Sequence, residues 1–340
     1  MTSFQSLHMN QGDQESSYAR NSIIQNAEQK RMKHVIEEAV ASFLKSSSVP
    51  SSMLIADLGC SSGPNALALV STTTPPELQV LLNDLPDNDF NSVAKSLAAF
   101  KPSTQSSGTV LTGIVPGSFY TRLFSRNSLD LVVSSNSLQW LSEAPEDLKR
   151  KMIPLCDKDE DLRRARRPLV IEAYRRQFRK DFTLFLNLRA QELVAGGRMV
   201  ISLLGSRASE CIPAWDIITS PLNDMASRGV ISREMLDCFY IPVHAPSDME
   251  LREIIEDEGT FKILRMQVHE LDKDLTNPKT TANAMRAIFE PEIVQHFRLS
   301  GKVMDEFVRT LEQQLVPGSP QQSTVLSDRV CVCISLTRTF

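Results

Sequence analysis

The feature that most constrains the fold is a glycine-containing turn that directly follows a short apolar strand. The strand is predicted at Met53–Asp57, and the turn is the segment Gly59–Asn65, with the sequence GCSSGPN. Glycines allow a tight turn and a close approach of backbone to a ligand, and the helix expected after the turn offers its N-terminus. The two glycines, Gly59 and Gly63, are separated by three residues (G-x-x-x-G), which differs from the dinucleotide pattern G-x-G-x-x-G. The turn therefore favours a nucleoside-type site over a nicotinamide-dependent oxidoreductase.

Apolar strands and helices alternate along most of the chain. This alternation predicts a parallel, doubly wound α/β sheet. Two late strands are predicted at 260–271 and 328–340, and they add an antiparallel pair to the parallel sheet. A parallel sheet with such a late antiparallel addition is the Rossmann-like organisation of class I methyltransferases. The other strands are predicted at Leu78–Asp84, Thr109–Val115, Leu129–Ser135 and 198–205, and the helices at 21–44, 91–100, Arg175–Ala195 with a C-cap at Gly196-Gly197, and Thr280–Leu315.

The segments outside the sheet predict a second structural layer. Residues 1–205 are assigned to the core, which includes an N-terminal helix over the site. Residues 206–256 and 275–320 are mainly helical and are expected to form a cap. Residues 260–271 and 326–340 return to the core as terminal strands. In open α/β sheets ligands bind at the carboxyl ends of the strands, so the cap is expected there.

Composition excludes several classes of partner. The chain has 340 residues, with 37 Lys+Arg against 41 Asp+Glu and a net charge of −4, so it lacks the basic excess of a nucleic-acid-binding protein. No apolar run reaches the about 18–20 residues of a membrane helix, and no secretory signal is predicted. The six cysteines include no CxxC pair, which favours free thiols in the cytoplasm and disfavours a structural zinc site. The arginine-rich segment 163–167 has acidic neighbours and is expected to be a solvated loop.

Two aspartates limit the kinds of ligand that the predicted site can bind. Asp57 ends the first strand, and Asp84 ends the next strand, where a carboxylate can accept hydrogen bonds from two ribose hydroxyls. Together they suit a ligand with a cationic amino-acid end and a ribose, namely S-adenosylmethionine. The alternative is a tight strand-to-helix turn in which Asp84 only caps the segment that follows.

Seven blocks of sequence carry a resemblance to a known family. In their order along the chain they are similar to the plant SABATH family of small-molecule methyltransferases, and they extend nearly from end to end. The blocks are residues 9–25, 56–65, 82–91, 115–124, 134–145, 173–200 and 285–291, among them MNQGDQESSYARNSIIQ, ADLGCSSGPN and SSNSLQWLSEAP.

The resemblance implies transfer of a methyl group from S-adenosylmethionine to the carboxylate of a small, largely apolar or aromatic acid, by a protein that forms a homodimer. It also implies roles for individual positions, with Gln25 and the Trp140 indole holding the carboxylate. The implied cofactor contacts are Tyr18, Ser22, Asp57, Gly59, Cys60, Asn65, Asp84, Leu85, Ser118 and Phe119. The implied acceptor contacts are Gln25, Asn136, Gln139 and Trp140, with Trp215 and Met285 as pocket walls.

This chemistry needs positioning more than proton transfer. A carboxylic acid with a pKa near about 4 is already ionised at neutral pH, so an in-line methyl transfer to it requires no general base. Alignment of the reacting atoms alone can supply up to about 7–11 kcal/mol. The sequence agrees with such a site, because its histidines lie outside the matched positions: His8, His34, His244, His269 and His296.

The chain departs from the family pattern in three places. The segment Asn65–Pro75 is short, Asn136 and Gln139 replace an aromatic residue and a histidine, and the segment 237–240 lacks the pattern of members that use Mg²⁺. Mg²⁺ is therefore disfavoured, and no metal ligand is assigned. Two alternatives stay open: N- or S-methylation of a purine-like or thiol acceptor, and an idle ligand-binding homologue.

Overall fold

One mixed sheet organises the chain. The computed structural model describes residues 8–12, 14–46, 52–61, 77–99, 109–207, 214–272, 277–298, 301–316, 318–319 and 329–339. Within these residues the sheet has seven strands in the order β3-β2-β1-β4-β5-β7-β6. The strands are β1 Met53–Leu58, β2 Glu77–Asp84, β3 Thr109–Pro116, β4 Leu129–Ser135, β5 Leu193–Ser206, β6 Phe261–Glu270 and β7 Arg329–Arg338.

The strand directions confirm the predicted class I arrangement. β1 to β5 pair in parallel, whereas β7 is inserted between β5 and β6 and runs antiparallel to both. β1 pairs with β2 on one side and with β4 on the other, with Asp57 opposite Leu82 and Val133. The order of the strands therefore reverses at β1, and ligands of open α/β sheets bind at the carboxyl end of such a switch point.

Helices cover both faces of the sheet. In strand β4, Leu131 and Val133 are buried on the side of α2, and Val132 is buried on the opposite face of the sheet. Burial of both faces is expected for a parallel strand that has helices on each side of the sheet. The helices are α1 Tyr18–Asn21, α2 Ile23–Ser46, α3 Phe90–Ala99, α4 Glu146–Arg150, α5 Glu160–Glu192, α6 Asp216–Ser227, α7 Arg233–Asp237, α8 Asp248–Glu258, α9 Pro278–Phe297 and α10 Gly301–Gln314.

Helix α5 corrects the predicted helix Arg175–Ala195. It begins at Glu160, where the Asp159 carboxylate accepts hydrogen bonds from two backbone amides of the first turn, and it contains Pro168. The predicted loop at 163–167 is therefore wrong, because these arginines lie on the first turns of α5. The helix ends at Glu192, and Gly196-Gly197 lie in β5 at a shift in its register with β4 and do not cap the helix.

Helices α6 to α10 lie in the ranges predicted for the cap, except that α8 extends two residues beyond position 256. The division into core and cap stays a prediction. The segment before α8 contacts the loop after β4: the Leu141 amide donates to the Pro242 carbonyl at 2.8 Å, and the His244 amide donates to the Gln139 carbonyl at 2.9 Å. The segment between α7 and α8 is thereby held against the loop at the carboxyl end of β4. Among the described helices, none is both long and apolar enough to cross a membrane.

Glu292 on α9 is a carboxyl group that packing has removed almost completely from water. It lies close enough to Tyr174 of α5 to act on the phenol electrostatically. Burial raises the pKa of Glu292 from 4.5 to about 8. The folded protein therefore retains a proton at neutral pH that the unfolded chain releases.

We expect this proton to make stability depend on pH. Between pH 4.5 and about 8 the folded state binds more protons than the unfolded state, so the free energy of unfolding falls as the pH rises through this window. Glu292→Gln is neutral throughout and should lack this part of the fall, on the order of a few kcal/mol. Urea unfolding of both proteins at pH 4.5 and pH 8 measures the change in the free energy of unfolding across the window. An equal change in the wild-type protein and in Glu292→Gln would contradict the burial argument.

Candidate active site

The turn after β1 is shaped so that only glycine fits at its start. Gly59 has a φ of +81°, and a Cβ atom there would lie 2.2 Å from the Ser137 Oγ. The Gly59 and Cys60 amides both donate to the Asn83 carbonyl at 2.9 Å, which ties the turn to the end of β2. Ser61 follows with a φ of +52°. The first part of the predicted turn, residues 59–61, is thus formed, with its backbone close to the loop that follows β4. Residues 62–65 of the turn lie outside the described residues.

Asp84 is fixed by the same turn. One of its carboxylate oxygens accepts from the Ser61 amide at 2.6 Å and the other from the Leu85 amide at 2.8 Å. The side-chain amide of Asn83 donates to the Val115 carbonyl at 2.7 Å, which joins β2 to the end of β3. The carboxylate of Asp84 is therefore held rigidly at the switch point of the sheet.

The pocket around Asp84 disfavours further negative charge. Burial, and then the charge of Asp84, raise the pKa of Asp57 to about 7. Burial also raises the pKa of Asp84, although the amides of Ser61 and Leu85 oppose it. The pKa of Tyr18 is raised by the same two causes as that of Asp57. Two buried carboxylates and a neutral phenol form a site that favours a cationic ligand.

A buried ion pair holds the loop after β3. Arg189 and Glu192, one turn apart at the end of α5, are both fully buried, and the Arg189 Nε lies 2.7 Å from the Glu192 Oε2. The Arg189 guanidinium donates to the Phe119 carbonyl at 2.9 Å and to the Thr121 carbonyl at 3.0 Å. The aromatic side chain of Phe119 is thereby placed near Gly59, where a Cβ atom would lie 3.7 Å from its ring.

Glu192 completes this support from the other side. Its Oε1 accepts from the Leu123 amide at 2.7 Å and from the Phe124 amide at 3.1 Å. The pair was not identified from sequence as part of the site. The available signal was an arginine and a glutamate three residues apart on a helix that has the apolar residues Phe185 and Leu186 one turn earlier.

The loop after β4 contains three of the predicted acceptor residues. Asn136 has a φ of +53°, a conformation that asparagine adopts more readily than most residues, and its amide donates to the Ser202 carbonyl at 2.8 Å. The Gln139 Nε2 donates back to the Asn136 carbonyl at 2.7 Å. The left-handed backbone conformation at position 136 is therefore a physical reason for an asparagine there.

Trp140 connects this loop to the rest of the site. Its carbonyl accepts from the Tyr120 hydroxyl at 2.7 Å, and its ring lies 5.4 Å from the Phe289 ring of α9. Met285 lies one turn before Phe289. Trp215, at the start of α6, is buried with its ring 4.1 Å from the Tyr174 ring.

The N-terminal segment is bound to α9. The Tyr18 amide donates to the Asn10 carbonyl at 2.9 Å, and the Asn10 amide donates to the Ala287 carbonyl at 2.8 Å. Ser22 is buried between α1 and α2, and Gln25 lies on the first turn of α2. The segment thus brings Tyr18 to the acidic pocket from the side of the cap helices.

Several buried polar atoms of these segments make no hydrogen bond within the described residues. They are the Ser22 Oγ, the Gln25 Oε1, the Ser61 Oγ and the Gln139 Oε1. A buried polar atom without a partner costs about 1–3 kcal/mol, so such atoms are expected where a polar ligand binds. Together with Asp57 and Asp84 they fit a ligand that has both polar groups and a positive charge.

The chain also matches known proteins. A family model described as SAM dependent carboxyl methyltransferase matches residues 4–339. The chain belongs to this family. The benzoic acid/salicylic acid carboxyl methyltransferase 1 of Petunia hybrida is 36% identical over 361 residues, 98% of each chain. The jasmonate O-methyltransferase of Arabidopsis thaliana is 35% identical over 378 residues, 94% of this chain and 97% of that protein.

The fold agrees with this assignment. A solved structure of loganic acid methyltransferase with S-adenosylhomocysteine (SAH) has a TM-score of 0.79 and 29% identity, and the match covers 98% of this chain and 99% of that chain. The predicted membership of the SABATH carboxyl methyltransferases, the class I fold and the cofactor S-adenosylmethionine are confirmed.

The structure brings most of the predicted SABATH positions to one edge of the sheet. Asp84 acts electrostatically on Tyr18, Asp57 and Cys60, and Asp57 also acts on Cys60. Among the described residues, no hydrogen bond or ring contact joins Trp215 to another predicted site residue. Asn65 and the short segment after the turn lie outside the described residues.

We expect Arg189→Met to lower the free energy of unfolding by about 3–5 kcal/mol, because it leaves the Glu192 carboxylate buried without its cation. The double variant Arg189→Met/Glu192→Gln should lose less than the sum of the single changes. Chemical denaturation measures both.

Arg179 on the same helix is the matched control for this change. It pairs with Glu253 at 2.6 Å and with Asp257 at 2.9 Å, but on the surface. Arg179→Met should therefore cost less than about 1 kcal/mol. Equal losses at Arg179 and Arg189 would show that the buried pair has no special weight.

Proposed function

We propose that this chain forms methyl esters of small, largely apolar or aromatic carboxylic acids. S-adenosylmethionine, when bound, supplies a methyl group activated by a sulfonium. The observation that carries the proposal is the 2.7 Å hydrogen bond from Tyr120 to Trp140, since it joins the loop of the cofactor residues Ser118 and Phe119 to the loop of the acceptor residues. A cationic ligand in the acidic pocket and an anion beside Trp140 are then neighbours.

The cofactor residues have separate tasks in this proposal. Asp57 would receive the cationic amino-acid end. Asp84 would accept from the ribose hydroxyls, and its orientation is already set by the Ser61 and Leu85 amides. Phe119 would pack against the base. The remaining contacts are assigned to Tyr18, Ser22, Gly59, Cys60, Asn65, Leu85 and Ser118.

In this proposal the acceptor residues hold the carboxylate of the substrate in place and do not remove a proton from it. The Gln25 amide and the Trp140 indole N–H are donors that suit the oxygens of a carboxylate, which is ionised at neutral pH because its ordinary pKa is about 4. His244 lies beside the acceptor loop, but its Nε2 faces the Glu250 carboxylate at 3.1 Å. The histidine beside the loop therefore has another partner, which agrees with transfer to an acceptor that needs no base.

A second candidate is methylation at the nitrogen of a purine-like acceptor. The Gln139 Oε1 is buried without a hydrogen bond among the described residues and would accept from an N–H group. Thiol acceptors and an idle ligand-binding homologue remain outcomes of the test. A homodimer and a cytoplasmic location complete the proposal as the family resemblance and the sequence suggest them.

The deciding experiment uses S-adenosylmethionine labelled in its methyl group with a panel of carboxylic acids, thiols and xanthines. We expect base-labile label in the methyl ester of an aromatic or aliphatic acid. Label in a thioether or an N-methyl product would overturn the carboxyl assignment. Cofactor binding without any transfer would identify an idle homologue.

Trp140→Phe tests the acceptor contact. It keeps a ring against Phe289 and removes the N–H donor, and a hydrogen bond to a charged group is worth about 1.5–3 kcal/mol. We expect kcat/KM for the acid to fall by about 10- to 100-fold, with KM for S-adenosylmethionine unchanged. Steady-state kinetics with each substrate varied in turn measures kcat/KM for the acid and KM for S-adenosylmethionine. An unchanged KM and kcat for the acid would show that Trp140 does not contact the acceptor.

Asp57 should link cofactor affinity to pH. Its pKa of about 7 in the free protein means that it is half protonated near neutrality, and a cationic ligand requires the ionised form. The affinity for S-adenosylmethionine should therefore fall as the pH drops below 7, approaching about tenfold per pH unit. Calorimetric titration across this range measures it. Asp57→Asn should bind weakly and without this slope, and a flat wild-type profile would contradict the raised pKa.

A further inference from the structure

Three residues far apart in sequence converge on one face of the sheet, outside the matched motif positions. His269 of β6 lies directly opposite Cys331 of β7 in the strand register, so their side chains share a face. Glu28 reaches the same place from α2, and its Oε2 lies 2.6 Å from the His269 Nε2. One donor atom from each of the three residues lies within 4.8 Å of the other two.

Burial and support distinguish this cluster from a chance surface group. The Glu28 side chain is 1% exposed and Cys331 is buried, whereas the His269 side chain is 27% exposed and leaves a path to solvent. The Ser202 hydroxyl donates to the Glu28 Oε1 at 2.8 Å. A carboxylate held from behind in this way is the arrangement that orients metal ligands in proteins.

We propose that Glu28, His269 and Cys331 bind a zinc-type divalent cation, with water as the fourth ligand. Thiolate, imidazole and carboxylate together suit zinc and not Mg²⁺, which prefers oxygen ligands. Ligand atoms about 2.0–2.3 Å from a tetrahedral zinc lie roughly 3.3–3.6 Å apart. The donors therefore need to shift by only about 1 Å from their positions here.

Protons must leave for the cation to bind. Burial, and then the Glu28 carboxylate, raise the pKa of the Cys331 thiol, so the thiol is neutral in the free protein. Burial alone would raise the pKa of Glu28, but the hydrogen bonds from His269 and Ser202 outweigh it and keep that pKa below its ordinary value. The cation thus replaces the thiol proton, which passes to solvent, and also the His269 proton that faces Glu28, which leaves Nε2 by way of solvent. It then binds the thiolate, a neutral imidazole whose proton is on Nδ1, and an ionised carboxylate.

Arg31 is the charged neighbour that opposes binding. Its guanidinium lies 3.8 Å from the Glu28 Oε2 and is partly exposed, so it can turn toward solvent when a cation arrives. Removal of its charge should tighten binding. This makes Arg31→Gln a variant with an effect opposite in sign to that of the ligand variants.

The position of the cluster gives the cation a structural consequence. Glu28 lies three residues after Gln25 on α2, and Ser202 contacts both Glu28 and the Asn136 amide. A bound cation would tie α2 to β6 and β7, and would thereby restrain the helix that carries Gln25.

The test uses the full chain, treated with a chelator and titrated with Co²⁺ as a spectroscopic substitute. We expect one Co²⁺ per chain, a thiolate-to-cobalt charge-transfer band in the near ultraviolet, displacement by Zn²⁺, and no displacement by excess Mg²⁺. Zn²⁺ should also raise Tm. The absence of a stoichiometric band in the wild-type protein would show a hydrogen-bonded cluster only, and this result needs no variant.

Variants locate the site. Cys331→Ser should abolish the band, and His269→Gln, at a partly exposed position, should weaken Co²⁺ binding by at least about tenfold. Cys333→Ser is the matched control, because Cys333 is an equally buried thiol two residues along β7 that is not in the cluster, and it should keep the band. Circular dichroism verifies folding. A band that survives Cys331→Ser, or that is lost equally with Cys333→Ser, would overturn the proposal.

Discussion

The site depends on the ion pair between Arg189 and Glu192 at the buried end of α5. An uncompensated charge in this position would be very costly, so the pair persists only while the loop after β3 surrounds it with carbonyls and amides. The loop is in turn unable to move without leaving a charge unsatisfied. The Arg189 guanidinium thereby fixes the backbone at Phe119, and the adjacent Tyr120 restrains Trp140 through a hydrogen bond to its carbonyl.

The electrostatics of the pocket follow from a different constraint, the convergence of strand ends. Parallel strands end at the same edge, so Asp57 and Asp84 are buried together at a cost that the backbone amides only partly offset. The protein carries this cost in the free state, and a cation relieves it. The net charge of −4 contributes little beside this local arrangement.

Much of the fold could be predicted from sequence, because buried strands are continuous apolar runs. β4 was placed at its observed bounds, Leu129–Ser135. The start of α5 could not be predicted, because Pro168 interrupts the helical sequence pattern although the helix continues through it. The end of α5 was misplaced because Gly196-Gly197 have the composition of a helix end, although they lie at a shift in the register of β5 with β4. Gly59, Asp57 and Asp84 were predicted from the residues themselves, and the other site positions came from the family resemblance. The Arg189 pair and the cluster of Glu28, His269 and Cys331 were missed, because their meaning lies in distances between segments that no spacing rule connects.

The placement of β7 has a consequence for how the protein is made. Among the described strands β6 pairs only with β7, and β7 follows the other six along the chain. During synthesis β5 and β6 both emerge before the strand that must lie between them. The edges of β5 and β6 that pair with β7 therefore stay open until residues 329–338 leave the ribosome. The contacts that close the β5 edge span long stretches of sequence, which slows folding. Of the seven described strands, the one synthesised last is inserted into the interior of the sheet, so the sheet cannot be completed strand by strand as translation proceeds.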